Sequence, residues 1–331
     1  MRIGVDLMGS DCSPSILFEA VLQISEDVGS CISFDVFVDK VVAKDIDSLY
    51  PKIKDQYSNI NLSLVSQVIE MSDDPITAVK TKVKSSIVKG VHSLHQGDID
   101  AFVTAGNTGA LLVSSKLTLP MIEGIQRPAL LAILPTKKGR LSLLDVGANT
   151  SCKAQHLVQY AMMGAAYQKY IYENANPKIG LLNVGSESEK GTVEHKKAYQ
   201  LLQDLAQNSP TDKFTFVGNV EGREVFDGKV DVLVTDGFSG NVLLKSAEGA
   251  ADYLFDQMLT EFDDQKMKEL INSYRTRFHY AEHPGALLCG VEGIVIKCHG
   301  DASTTSMYNG IVGAIDLVNN DYLKHLSEIS G

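Results

Sequence analysis

Short apolar runs alternate along the chain with stretches in which apolar residues recur every three or four positions. The runs at 3–7, 34–38, 101–104, 130–134, 141–145, 179–184, 230–235 and 294–296 have the length and content of strands. Ile76, Val79, Val83, Ile87 and Val91 fall at helical steps behind Pro75, a residue suited to a first helical turn, and predict one helix there. Leu157, Tyr160, Ala161, Gly164 and Tyr167 predict another after Lys153. Strand followed by helix, many times over, predicts a largely parallel sheet clothed in helices. Only 174–177 and 208–212 look like linkers, and neither marks a boundary, so residues 1–331 read as a single α/β domain. Within it, 253–277 carries two charged helical patterns with no strand between them, a helical excursion from the main body.

Charge and cysteine content narrow the setting. Lys and Arg total 30 against 41 Asp and Glu, a net charge of −11, which disfavours nucleic acid and anionic lipid as main partners. Cys12, Cys31, Cys152, Cys289 and Cys298 are odd in number and never spaced C-x-x-C, so reduced thiols in a cytoplasmic protein are expected. No uncharged apolar stretch approaches the ~20 residues of a spanning helix.

The candidate chemistry sits where strands end. Five of them close on glycine among small polar residues: VTAGNTGALL (103–112), LLDVGANTSCK (143–153), LLNVGSESEKG (181–191), VTDGFSGNVLLK (234–245) and VIKCHGDAS (295–303). Ligands of open α/β sheets bind beyond the carboxyl ends of strands, and a following helix points its positive end at an anion. VTAGNTG (103–109) and VTDGFSG (234–240) match each other residue for residue in type. Lys153, Lys190, Lys245, Lys297 and His299 lie at or just after strand ends, as do Asp145, Asn149, Asn183, Asn219, Asp236 and Asn241. Lysine holds phosphate as a point charge and asparagine donates to oxyanions. There is no Walker sequence and no G-x-G-x-x-G fingerprint, and GFSG (237–240) is one residue short of a nucleophile elbow.

Taken in order, AGNTGALL (105–112), RPAL (127–130), LLDVGANTSCKAQHL (143–157), LLNVGSESEKG, FVGNVEGREVF (216–226) and DGFSGNVLLKSAEG (236–249) resemble the phosphate acyltransferase family (PlsX type) of bacterial phospholipid synthesis. The resemblance runs over essentially the whole chain. It implies a three-layer α/β/α fold like that of isocitrate and isopropylmalate dehydrogenases, in a homodimer without metal or organic cofactor. It also implies transfer of a fatty acyl group from acyl carrier protein to inorganic phosphate, the acyl phosphate then serving a membrane glycerol-phosphate acyltransferase. Such chemistry needs an anion held in place, a stabilised tetrahedral oxyanion and a proton for the departing thiolate. Gly106, Asn107, Thr108, Gly109, Asn149, Asp236, Gly240 and Asn241 are the expected phosphate and oxyanion groups. Lys190, Lys245 and Lys297 are the expected counter-charges, and His299 the general acid, since imidazole titrates near neutrality.

Three departures from the family pattern stand out. Met8-Gly9-Ser10-Asp11 replaces M-G-G-D, and Glu282-His283-Pro284-Gly285-Ala286 stands where Y-G-G-A is usual. The excursion is shorter and more polar, with Asp263-Asp264-Gln265-Lys266 near the tip through which family members dock on membranes. An acidic carrier protein and an acidic enzyme need a local basic patch to meet. The candidates are Arg127, Lys137, Lys138 and Arg140, and on the excursion Lys266, Lys268, Arg275 and Arg277. A dehydrogenase on the same fold, a coenzyme A-dependent phosphotransacetylase and an acyl-binding protein without turnover are the competing readings.

Overall fold

The computed structural model describes residues 1–49, 56–208, 214–278, 285–300 and 302–330. The chain forms two compact units, Met1–Met121 with Ala281–Leu323, and Ile122–Tyr280 with Lys324–Gly331.

In the first unit, β1 (Arg2–Asp6), β2 (Ser33–Asp39), β3 (Ile60–Val65), β4 (Ala101–Thr104), β10 (Ala286–Cys289) and β11 (Ile294–Lys297) lie in the order β3-β2-β1-β4-β11-β10. All neighbours run parallel except β10 against β11. Every residue of β4 is buried, so helices cover both of its faces. Helix Thr304–Asn319 packs on β4 and β11 and against helix Pro14–Val28, while helix Ser86–Gln96 packs on β1 and β4.

In the second unit, β5 (Ala129–Thr136), β6 (Gly139–Leu144), β9 (Val232–Val234), β7 (Lys178–Asn183) and β8 (Thr215–Glu221) follow in that order, with only β5–β6 antiparallel. Lys137 and Lys138 form the tip of the β5–β6 hairpin, closed by the Thr136–Gly139 pair. Helix Ala154–Ile171 lies on β6 and β9 and against helix Val193–Asn208. Helices Gly237–Glu261 and Gln265–Phe278 pack on each other, joined by Arg275, which donates to Asp252 at 2.7 Å and to Asp256 at 2.8 Å.

All eight strands read from the sequence are present. Three more, β3, β8 and β10, are not among those runs. In β8 the run is cut by Gly218 at φ 92°, where the register against β7 shifts; a glycine there reads as a turn. The single helix expected through Ile76–Val91 is two, Pro75–Thr81 and Ser86–Gln96. Between them Ser85 bridges to Gln67, and the Lys84 N–H donates to Gln67 Oε1 at 2.9 Å. Pairing with the chain beyond β3 overrides the helical stripe and leaves Val83 57% exposed. Glu282, His283 and Pro284 lie outside the described residues, as does 209–212 of the second linker-like place.

Candidate functional site

In the first unit the polar groups gather where β1, β4 and β11 end. Asp6, 1% exposed, accepts from the Met8 N–H at 2.9 Å and from Thr104 Oγ1 at 2.8 Å. Thr104 Oγ1 in turn accepts the Gly106 N–H at 3.0 Å. Burial raises the Asp6 pKa to about 6, against the pull of these bonds, of Ser86 and of the Lys297 charge. Lys297 is buried, and its Nζ donates to the Ala105 carbonyl at 3.2 Å and to that of Cys298. The ammonium therefore sits beneath the turn that carries Gly106.

Asn107 caps helix Thr108–Thr118 by accepting the Ala110 N–H on Oδ1 at 2.9 Å. Its Nδ2 donates to the carbonyls of Glu70, Met71 and Asp73 at 3.1–3.3 Å. Thr108 and Gly109 open the helix, and His299 is exposed on the loop after β11. Six of the residues selected from sequence, Gly106, Asn107, Thr108, Gly109, Lys297 and His299, thus share the neighbouring ends of β4 and β11. Asp6, at the centre of the network, was not among them. Its signal was a carboxylate closing an otherwise apolar strand.

The second unit is organised around Asp145, which is fully buried. Its Oδ1 accepts the N–H groups of Leu130, Gly147 and Ala148 at 2.9–3.1 Å. Its Oδ2 accepts the Asn149 N–H at 2.8 Å and Asn149 Nδ2 at 2.9 Å. Burial pushes the carboxyl pKa up, and the donors oppose that shift. Asn149 Nδ2 also donates to the Pro128 carbonyl at 2.7 Å, and the Gly237 N–H to the Asn149 carbonyl at 2.7 Å.

The loop after β9 packs directly on this loop. A Cβ at Gly240 would lie 1.9 Å from the Asp145 carbonyl oxygen, and one at Gly237 2.8 Å from the Asn149 backbone. Glycine is needed at both places by the protein's own main chain. Asp236 caps helix Gly237–Glu261, accepting the Ser239 N–H at 2.9 Å and Ser239 Oγ at 3.0 Å. Asn241 is exposed beside Gly147. Asn149, Asp236, Gly240 and Asn241 are therefore brought together around Asp145.

The two matching motifs differ in how they start their helices. In VTAGNTG the cap is the fifth residue, Asn107; in VTDGFSG it is the third, Asp236. Thr104 finds Asp6 as a partner, whereas the buried Thr235 Oγ1 has none among the described residues. Similar letters give different sites.

Lys190 and Lys245 each form an ion pair within their own segment. Lys190 faces Glu187 at 3.8 Å in a loop pinned by Asn183, which donates to the Lys190 carbonyl at 3.1 Å, and by Asn219, which donates to that of Glu187 at 2.7 Å. Lys245, two turns into its helix, pairs with Glu248 at 2.9 Å.

A cationic cluster not foreseen from sequence lies beside the Asp145 loop. Burial first, then the charges of Arg127 and Lys153, lowers the His156 pKa, while Glu194 acts in the opposite sense. His195 Nδ1 lies 2.8 Å from Thr192 Oγ1, and burial lowers its pKa against the charge of Asp236. Of the basic residues considered for docking, Lys137 pairs with Asp227, Arg140 lies over the Tyr172 ring and Lys268 pairs with Asp263. Arg275 is held by two aspartates, and the Arg277 side chain lies outside the described residues. Among the described residues no helix is long and apolar enough to cross a membrane.

A family model described as fatty acid synthesis protein matches residues 1–325. A phosphate acyltransferase of Chlamydia caviae is 38% identical over 319 residues, 96% of this chain and 95% of its own. One from Thermoanaerobacter pseudethanolicus is 37% identical over 337 residues, covering 99% and 97%. The crystal structure of a phosphotransacetylase from Streptococcus pyogenes superposes with a TM-score of 0.63 at 15% identity, over 97% of this chain and 94% of that one. At that identity the likeness shows a shared α/β fold.

Proposed function

The chain belongs to the phosphate acyltransferase family, and we propose that it takes its fatty acyl group from acyl carrier protein and delivers acyl phosphate to phospholipid synthesis. Acyl transfer to phosphate follows from the family; the carrier-protein donor and the destination are the further step. A phosphate oxygen attacks the thioester carbonyl carbon, a tetrahedral oxyanion forms, and the carbon–sulfur bond breaks. The proton lost by hydrogen phosphate ends on the thiolate, so no protein atom need become covalently attached.

Within this reading, Gly106, Asn107, Thr108 and Gly109 shape one anion-holding strand end, and Asn149, Asp236, Gly240 and Asn241 shape another. Because the side chains of Asn107, Asn149 and Asp236, and the Asn149 N–H, are engaged within their loops, these residues act by fixing the shape of the loops. Asn241, exposed, has its amide to offer. Lys297 supplies positive charge under the β4 turn, Lys190 and Lys245 supply it from more exposed positions, and His299 protonates the leaving sulfur. The enzyme works as a cytoplasmic homodimer, and a membrane glycerol-phosphate acyltransferase consumes its product. Family resemblance is the support for both.

Identity of 37–38% to phosphate acyltransferases along nearly the full length carries the reading. The donor is tested by giving the enzyme phosphate with palmitoyl carrier protein, palmitoyl-coenzyme A or acetyl-coenzyme A and trapping acyl phosphate as hydroxamate. Highest kcat/KM with the carrier protein is expected. Preference for acetyl-coenzyme A would make the enzyme a phosphotransacetylase instead.

A further inference from the structure

Helix Ala154–Ile171 begins in an unfavourable electrostatic setting. Its cap residue is Lys153, with no side-chain acceptor for the first turn, although unpaired N–H groups make that end of a helix positive. Serine, threonine or aspartate there would stabilise the helix by ~1 kcal/mol. Arg127 adds a second cation, its Nη1 donating to the Ser151 carbonyl at 3.3 Å.

His156 adds a donor. It is 4% exposed, and its Nδ1 accepts the Lys153 N–H at 3.2 Å. The neutral ring then carries its proton on Nε2, which has no partner among the described residues. The positive charge around it favours that neutral form.

One carboxylate faces this collection of donors. Glu194, from the adjacent helix Val193–Asn208, accepts the Ala154 N–H on Oε2 at 2.8 Å. That bond is the first cause of its lowered pKa. Its side chain is 38% exposed and also lies 3.6 Å from Lys197, so it has a second partner toward which to turn without being stripped of water or charge.

We propose that Arg127, Lys153, the His156 Nε2–H and the Ala154 N–H form the subsite for inorganic phosphate, and that Glu194 is an internal occupant which phosphate displaces. The assignment rests on phosphate being the acyl acceptor. A phosphate dianion offers three or four oxygens to donors that a carboxylate fills with two, and takes more from a planar guanidinium. The arrangement weakens affinity for phosphate by making it compete with a tethered anion.

The test is calorimetric titration of the full chain with inorganic phosphate, without acyl donor. Glu194→Gln keeps an oxygen for the Ala154 N–H, so the helix start survives, but removes the competing charge. Phosphate should bind ~5- to 10-fold more tightly to it, and ~10-fold more weakly to Arg127→Met, as expected for loss of a charge-assisted contact. Circular dichroism melting checks that both variants are folded. Unchanged or weaker phosphate binding by folded Glu194→Gln, or unchanged binding by Arg127→Met, overturns the subsite. Expected shifts without acyl phosphate formation would refute the acyl-acceptor reading while leaving an anion site. Normal turnover with an unmoved phosphate Kd and KM in both variants would refute the subsite alone.

Discussion

Asp145→Asn is the sharpest test of how the second unit's loop is built. The carboxylate receives three donors on Oδ1 and two on Oδ2. An amide keeps one oxygen and replaces the other with NH2, so in either orientation at least two N–H groups face another donor. The milder orientation turns the nitrogen toward the two Asn149 donors. Two hydrogen bonds to a charged group, at ~1.5–3 kcal/mol each, set the loss at about 3–6 kcal/mol. Removing a buried charge recovers part of this, so about 3 kcal/mol is expected, a large share of a typical domain's stability. The chain has no tryptophan, so urea unfolding is followed by far-ultraviolet circular dichroism, alongside kcat/KM. A loss below about 0.5 kcal/mol, within the range of ordinary surface changes, would mean that Asp145 does not organise the loop.

Two other perturbations probe each unit separately. Gly240→Ala puts a methyl carbon 1.9 Å from the Asp145 carbonyl, so destabilisation of about 2 kcal/mol and lower kcat/KM are expected; wild-type stability would contradict the contact between loops. For Asp6 the folded pKa is raised from 3.8 to about 6, so between these values the folded chain binds more protons than the unfolded one. Wild-type stability therefore falls as pH rises through that window, by about 3 kcal/mol at ~1.4 kcal/mol per unit. Asp6→Asn lacks this component, and parallel pH–stability curves for the two proteins would refute the burial argument.

Periodicity revealed elements but not their partners. The eight apolar runs emerged as strands because burial on both faces leaves an unmistakable pattern. The Ile76–Val91 stripe was misleading because Ser85 and Lys84 pair with Gln67, a contact that no local pattern encodes. Glycine at strand ends signalled close approach, but Gly237 and Gly240 are approached by the 145–149 main chain. The matched letters of 103–109 and 234–240 likewise concealed caps two residues apart. Glu194 reaches the start of the helix that carries His156 because two helices pack side by side, and each residue alone looks like an ordinary helix residue. Asp6 was legible in principle, as a lone carboxylate ending an apolar strand.

The most direct test of the account is phosphorus-31 NMR of purified enzyme with a long-chain acyl carrier protein thioester and inorganic phosphate. A new acyl phosphate resonance is predicted, growing in step with free thiol and absent when phosphate is omitted. Thiol release that proceeds equally without phosphate, or no release by correctly folded enzyme, would contradict acyl transfer from the carrier protein to phosphate.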